Sequence, residues 1–175
     1  MPNWCANRVT VWSDDVAKLQ EFKDLVRSKE EPFSFNSISP MPEELRTVAS
    51  PTQIVSPEEV DEHKRKNQNT PFYSGSPITQ ETYNKLMKEY GCSNWYDWAD
   101  DNWGVKWECS NVECEESYGG NEAVYRFNTP WGPPEEIYNL LVRKFPDLAI
   151  QWFWDEPGME MAGYLQPTTW RSTEG

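Results

Sequence analysis

The chain has 175 residues and a net charge of −13, enough length for one domain with a real hydrophobic core. It contains no run of about 18 or more apolar residues, which argues against a membrane-spanning helix. The acidic balance argues against direct contact with nucleic-acid backbones or anionic membranes, since like charges repel.

The first element is a strand. Over residues 7–12, Val9 and Val11 alternate with Arg8, Thr10 and Trp12, the period-two pattern of a half-buried strand. Asp14 or Asp15 can cap a following helix, because a carboxylate accepts the free amide protons of the first turn. Val16, Leu19, Phe22, Leu25 and Val26 then recur at helical spacing. Residues 33–36 read as a short second strand, and Pro40, Pro42 and Pro51 interrupt regular structure beyond it.

The middle of the chain reads as a helical insertion. Ser56-Pro57-Glu58-Glu59 combines a cap, a first-turn proline and a capping box. The run from Asp61 to Thr70 is almost wholly polar and carries a basic cluster, His63 to Lys66. A helix there has little to bury, so residues 58–72 are expected to be the most mobile part of the fold. A second helix is predicted over 79–90, with Tyr83, Leu86, Met87 and Tyr90 as its stripe and Gly91 as its stop. Trp95 and Trp98 fall on a third, short helical turn that Gly104 ends.

The C-terminal third alternates again over 123–128, with Tyr125 and Phe127 on one face. Pro133 and Pro134 open a helix whose first-turn Glu135 and Glu136 suit its positive end. Its stripe is Ile137, Leu140, Leu141 and Phe145. A strand over 149–154 places Ile150, Trp152 and Trp154 together, Gly158 marks a turn, and 159–165 returns as a last strand. The order strand–helix–strand, insertion, strand–helix–strand is the split βαβ pattern. It predicts an α+β, ferredoxin-like domain over 1–175 with a largely antiparallel sheet. A helical insertion (50–104) lies between strands two and three, and an extra strand closes the chain. Both long helices should lie on one face of the sheet, leaving the other to the insertion, a partner or water.

Four segments resemble the YubB-like family, a ferredoxin-like family of phages and plasmids. They are Pro2-Asn3-Trp4-Cys5-Ala6-Asn7, then Asn94-Trp95-Tyr96-Asp97-Trp98 with Asn102-Trp103-Gly104-Val105-Lys106-Trp107-Glu108, then Phe127-Asn128-Thr129-Pro130-Trp131-Gly132-Pro133-Pro134, and the closing Glu156-Pro157-Gly158 with Gly163. Val105 stands where the family pattern has Thr, and Gly132 where it has Ser. The resemblance implies a fold and a mobile-element origin, and it supplies no biochemical activity.

Chemistry-bearing residues are sparse. The start of the chain lacks the basic and apolar pattern of a signal peptide, so a cytoplasmic location in the host cell is expected, with Cys5, Cys92, Cys109 and Cys114 as reduced thiols. Cys109, Cys114 and the lone His63 offer too few ligands for zinc, and neither a metal nor a cofactor is expected. No catalytic residue is assigned. A nucleophilic triad needs a base beside it, and His63 sits in the most polar stretch. Asp97, Asp100, Asp101 and Glu108 keep a carboxylate hydrolase open as an alternative. Most of the ten tryptophans are expected in the core.

The candidate binding residues are Trp95, Asp97, Trp98, Asn102, Trp103, Lys106, Trp107 and Trp131. Aromatic surfaces with a few polar handles suit recognition. The competing reading is a polar-capped tryptophan core, in which Asp97 and Asn102 satisfy indole and backbone protons. Three functions are expected from these features. The first is a non-enzymatic accessory protein that binds a host protein, as in counter-defence. The second is an acidic nucleic-acid mimic. Its motive is the stretch 94–122, where eight acids stand against Lys106 alone. The third is a binder of, or enzyme acting on, a nucleotide-like small molecule held in a tryptophan-lined pocket, with Lys106 or Arg126 facing its phosphate.

Overall fold

The alternation around Val9 and Val11 becomes the central strand of a sheet. The computed structural model describes residues 3–67 and 75–168. The chain divides into two units, Met1–Pro40 with Asn102–Gly175, and Met41–Asp101.

In the first unit, β1 (Trp4–Trp12) leads into α1 (Val16–Val26). Asp15 caps that helix by accepting the amide protons of Ala17 and Lys18. The short α2 (Phe35–Ile38) comes next. After the second unit come β2 (Ser110–Glu116), β3 (Glu122–Pro130), α7 (Glu135–Lys144), β4 (Ala149–Glu156) and β5 (Met161–Tyr164). The strands form one antiparallel sheet in the order β2-β3-β1-β4-β5. With helices α1 and α7 on one face, this is a ferredoxin-like α+β fold with an added C-terminal edge strand.

The register fixes which side chains meet the helices. Val9 lies opposite Tyr125 on one side and Trp152 on the other. Phe22 of α1 packs on Tyr125 at 6.2 Å between centroids, and Tyr138 of α7 on Trp152 at 5.9 Å. Directly opposed residues share a face, so Cys5, Asn7, Val9 and Val11 point into the core and Trp4, Arg8 and Trp12 point to solvent.

Residues 33–36 are not a strand. Phe33 is fully buried as a plug against the sheet, with its ring 5.0 Å from Phe127, 5.2 Å from Tyr125 and 6.1 Å from Trp152. Ser34 then caps α2. The alternation of Phe33 and Phe35 reflects two rings packed edge to face at 6.2 Å, not a pleat. The second strand is β2, so the helical segment lies between α1 and the second strand rather than between strands two and three.

The second unit contains α3 (Glu43–Arg46), α4 (Pro57–Asn67), α5 (Gln80–Tyr90) and the first seven residues of α6 (Trp95–Trp103). The capping box at Ser56 forms as its spacing predicts. The Ser56 amide donates to Glu59 Oε2 at 2.9 Å and the Glu59 amide to Ser56 Oγ at 3.4 Å. No described side chain of α4 is buried, as its polar run implies; residues 68–72 of the segment expected to be mobile lie outside the described residues. Thr79 caps α5, and Gly91 ends it at φ +74°, where a Cβ would be strained. Of the stripe read on α5, only Leu86 is buried. Glu44 holds α5 to α3 by accepting from Lys85 at 2.7 Å and from the Tyr90 hydroxyl at 2.8 Å.

Candidate functional site

The eight residues read as a binding surface have different fates. In the second unit, Asn94 caps α6: its Oδ1 accepts the amide protons of Tyr96 and Asp97 at 2.9 and 3.0 Å. Asp97 faces back onto that cap, accepting from Asn94 Nδ2 at 2.8 Å. Trp98 is buried, and Trp95 is half-buried with its ring edge-on to Tyr96. Trp98 is therefore a framework residue, and the exposed Asp97 bonds the Asn94 side chain rather than an indole or backbone proton.

In the first unit, the last turn of α6 ends on Asn102, half-buried, and Trp103, buried. The Trp103 indole N–H donates to the Ser39 carbonyl at 2.9 Å, and its ring packs on Phe35 at 5.9 Å. Gly104 then turns the chain at φ +78°, so close to α7 that a Cβ there would sit 2.9 Å from the Glu135 amide nitrogen. Only glycine fits that approach. Glu108 locks the loop from its other end. Its carboxylate accepts from Ser34 Oγ at 3.0 Å and from the Phe35 and Asn36 amides at 2.6 and 3.0 Å, closing the N-terminus of α2.

Between these two anchors the chain presents Lys106 and Trp107, and the turn after β3 brings Trp131 to meet them. The Lys106 ammonium stands 4.5 Å from the Trp107 ring centroid and 5.4 Å from that of Trp131. The indoles stay 37% and 47% exposed. A cation over two ring faces at an exposed site gains about 0.5–1 kcal/mol per ring.

Trp131 adopts φ +69°, a left-handed conformation that costs a bulky residue about 1–3 kcal/mol unless its surroundings impose it. The surroundings do impose it. The Trp131 amide donates to the Asn3 carbonyl at 2.9 Å, and Thr129 Oγ1 donates to the Gly132 carbonyl at 2.7 Å. Thr129 Oγ1 in turn accepts from Asn7 Nδ2 at 2.7 Å, while Asn7 Oδ1 accepts the Trp152 indole proton at 3.0 Å. This buried chain runs across three strands and ends at the turn that carries Trp131. Sequence reasoning missed Asn7 and Thr129; a lone polar residue at an inward position of a strand was the available signal.

Among the described residues, fewer tryptophans are buried than expected. Trp98, Trp103 and Trp152 are buried, whereas Trp4, Trp12, Trp107 and Trp131 are exposed. The thiols are poor nucleophiles. Burial raises the Cys5 pKa to about 11, and burial together with the Glu108 carboxylate raises that of Cys109; Cys92 and Cys114 are likewise raised, chiefly by burial. Such thiols are protonated at neutral pH.

A family model described as "Ferredoxin-like domain in Api92-like protein" matches residues 102–169. That span carries Asn102, Trp103, Lys106, Trp107 and Trp131 together with strands β2 to β5. The crystal structure of a protein api92 from Yersinia pseudotuberculosis is similar over 94% of this chain and 93% of that one, with a TM-score of 0.52 at 12% identity. At that identity the likeness is one of fold. No curated protein matches the sequence. Among the described residues, no helix is long and apolar enough to cross a membrane.

Proposed function

We propose that this protein is a non-enzymatic accessory protein of a phage or plasmid that binds a host protein in the host cytoplasm. Lys106, Trp107 and Trp131 form the contact, and counter-defence is the setting that the mobile-element resemblance favours. The observation that carries the reading is Trp131: a large apolar side chain held in solvent by a strained backbone that a buried hydrogen-bond chain maintains. Indoles are over-represented among the residues that dominate protein interfaces, and truncating one commonly costs about 2 kcal/mol or more of binding. The protonated thiols favour binding over nucleophilic chemistry.

This reading is preferred to nucleic-acid mimicry because half of the acids in the 94–122 stretch already have partners. Asp97 faces Asn94, Glu108 caps α2, Glu115 pairs with Arg126 at 2.9 Å and Glu116 with Lys23 at 2.7 Å. The test is affinity capture from host lysates with the native chain and with Trp107→Ala and Trp131→Ala, followed by affinity measurement on the purified partner. A partner whose affinity falls about 30-fold with Trp131→Ala, a cost near 2 kcal/mol, supports the proposal. A partner bound equally by all three chains removes these residues from the interface and overturns it.

A further inference from the structure

We infer that the open face of the sheet carries a second site, for a small ligand that joins a flat, amine-bearing ring to a single phosphate, the chemistry of a nucleoside monophosphate. The inference does not depend on Trp107 or Trp131. Its basis is one row of side chains running straight across all five strands. Glu113 lies opposite Arg126, Arg126 opposite Arg8, Arg8 opposite Phe153, and Phe153 opposite Tyr164. Directly opposed residues share a face, and this face is turned away from α1 and α7.

The row has the parts of a ring-and-phosphate receptor in the right sequence. At one end, Phe153 and Tyr164 set their rings 5.2 Å apart, and Tyr164 is exposed. Every nucleobase has a π-face that such rings can stack on. In the middle, two guanidinium-bearing side chains sit side by side on neighbouring strands. Like charges directly opposite each other are unfavourable. Arg126 is relieved by Glu115 on the edge strand. Arg8 has no carboxylate partner among the described residues, and its guanidinium lies 5.6 Å from the Phe153 ring centroid. An oxyanion between Arg8 and Arg126 would satisfy both through paired N–H donors. Around them the surface is concave, about 430 Å³, with Asn128, Asp155 and Glu113 on its walls. That volume is in the range of small-ligand sites.

The two wall carboxylates choose the ligand. Asp155, two residues along β4 from Phe153, can accept a hydrogen bond from an exocyclic amine, which favours adenine or cytosine over uracil; Glu113 stands beyond the arginine pair on the edge strand. Both carboxylates also repel a run of phosphates that leaves the arginine pair in either direction, and the chain as a whole carries −13. A single phosphate suits the site, and a polynucleotide backbone does not.

Calorimetric titration of the full chain with AMP, CMP, UMP, adenosine and inorganic phosphate tests this. AMP or CMP should bind saturably, with UMP, adenosine and inorganic phosphate each at least tenfold weaker. Arg8→Gln and Phe153→Leu should each weaken the nucleotide at least tenfold. Phe153→Leu keeps apolar bulk while removing the ring faces, so the sheet is retained. Trp131→Ala should leave nucleotide affinity within twofold, which separates this site from the host-protein contact. No saturable heat with AMP or CMP overturns the inference. So does adenosine binding as tightly as AMP, inorganic phosphate binding as tightly as AMP (an adventitious anion only), or an unchanged affinity in Arg8→Gln.

Discussion

Asn7→Ala tests whether the buried hydrogen-bond chain governs both stability and the turn that presents Trp131. Asn7 is 3% exposed and uses its whole side-chain amide. Nδ2 donates to the Cys5 carbonyl at 3.1 Å and to Thr129 Oγ1 at 2.7 Å, and Oδ1 accepts from Trp152 Nε1 at 3.0 Å. Alanine deletes all three bonds and leaves the indole N–H of a fully buried tryptophan without an acceptor. Each lost hydrogen bond is worth about 1 kcal/mol, and an orphaned buried donor about 1–3 kcal/mol. With three bonds broken and one donor orphaned, we expect a loss of about 3–4 kcal/mol. For a chain of this size that corresponds to a fall in Tm of roughly 8–12 °C.

Scanning calorimetry and urea unfolding followed by tryptophan fluorescence measure the loss. The control is Asn128→Ala, the same residue type on the open face of the neighbouring strand, where surface substitutions stay within about 0.5 kcal/mol. The chain of bonds also predicts that Thr129→Val, which keeps volume but frees the Gly132 carbonyl, alters the near-ultraviolet dichroism of the tryptophans. A loss below about 1 kcal/mol for Asn7→Ala, or an equal loss for Asn128→Ala, would refute the reasoning.

Two further outcomes rest on single positions. Gly104→Ala combines a φ of +78° with a Cβ 2.9 Å from the Glu135 amide nitrogen; it should cost about 2 kcal/mol in urea unfolding and blunt the effect of Trp107→Ala on partner binding. For Cys5, burial favours the neutral thiol in the folded state, with its pKa raised from 9.0 to about 11. The folded chain therefore holds a proton that the unfolded chain releases first, so this contribution is whole below pH 9 and is lost as pH rises to about 11. Unfolding free energies measured from about pH 8 to about pH 11 should fall in the native chain and fall less in Cys5→Ala.

Much of the fold was legible because its main elements obey one-dimensional rules. The Asp15 cap, the Ser56 capping box, the Gly91 stop and the alternation around Val9 and Tyr125 all depend on residues within a few positions of each other. The failures needed contacts from far away. β2, whose sequence is SNVECEE, is too acidic to read as a strand; its pairing with Tyr125 and Arg126 makes it one. Phe33 alternates with Phe35 as a strand residue would, yet the hydrogen bonds that fix the adjoining backbone at Phe35 and Asn36 come from Glu108, far along the chain. The tryptophan motif mixed two jobs. Trp98 and Trp103 fill cores, whereas Trp107 and Trp131 stay in solvent, and residue type alone does not separate them. Gly104 does, by turning the chain outward between Trp103 and Trp107.

The scarcity of positive charge bears on where a partner would meet this protein. There are 29 acids for 16 lysines and arginines, so carboxylates are abundant partners for any cation. Lys18, Lys23, Lys85 and Arg126 take them. Lys106 and Arg8 instead rest over ring faces, at 4.5 Å from Trp107 and 5.6 Å from Phe153. An exposed ring holds a cation by only about 0.5–1 kcal/mol and, unlike a carboxylate, leaves its charge uncancelled. Each placement therefore creates a surface that is apolar and positive at once within an acidic molecule. By this argument an acidic or phosphorylated group would be better tolerated at these two places than beside unpaired carboxylates, and a flat or apolar portion next to the anion would meet a ring already in position. Such contacts should weaken with salt less steeply than binding made of exposed ion pairs alone, because stacking and burial do not screen.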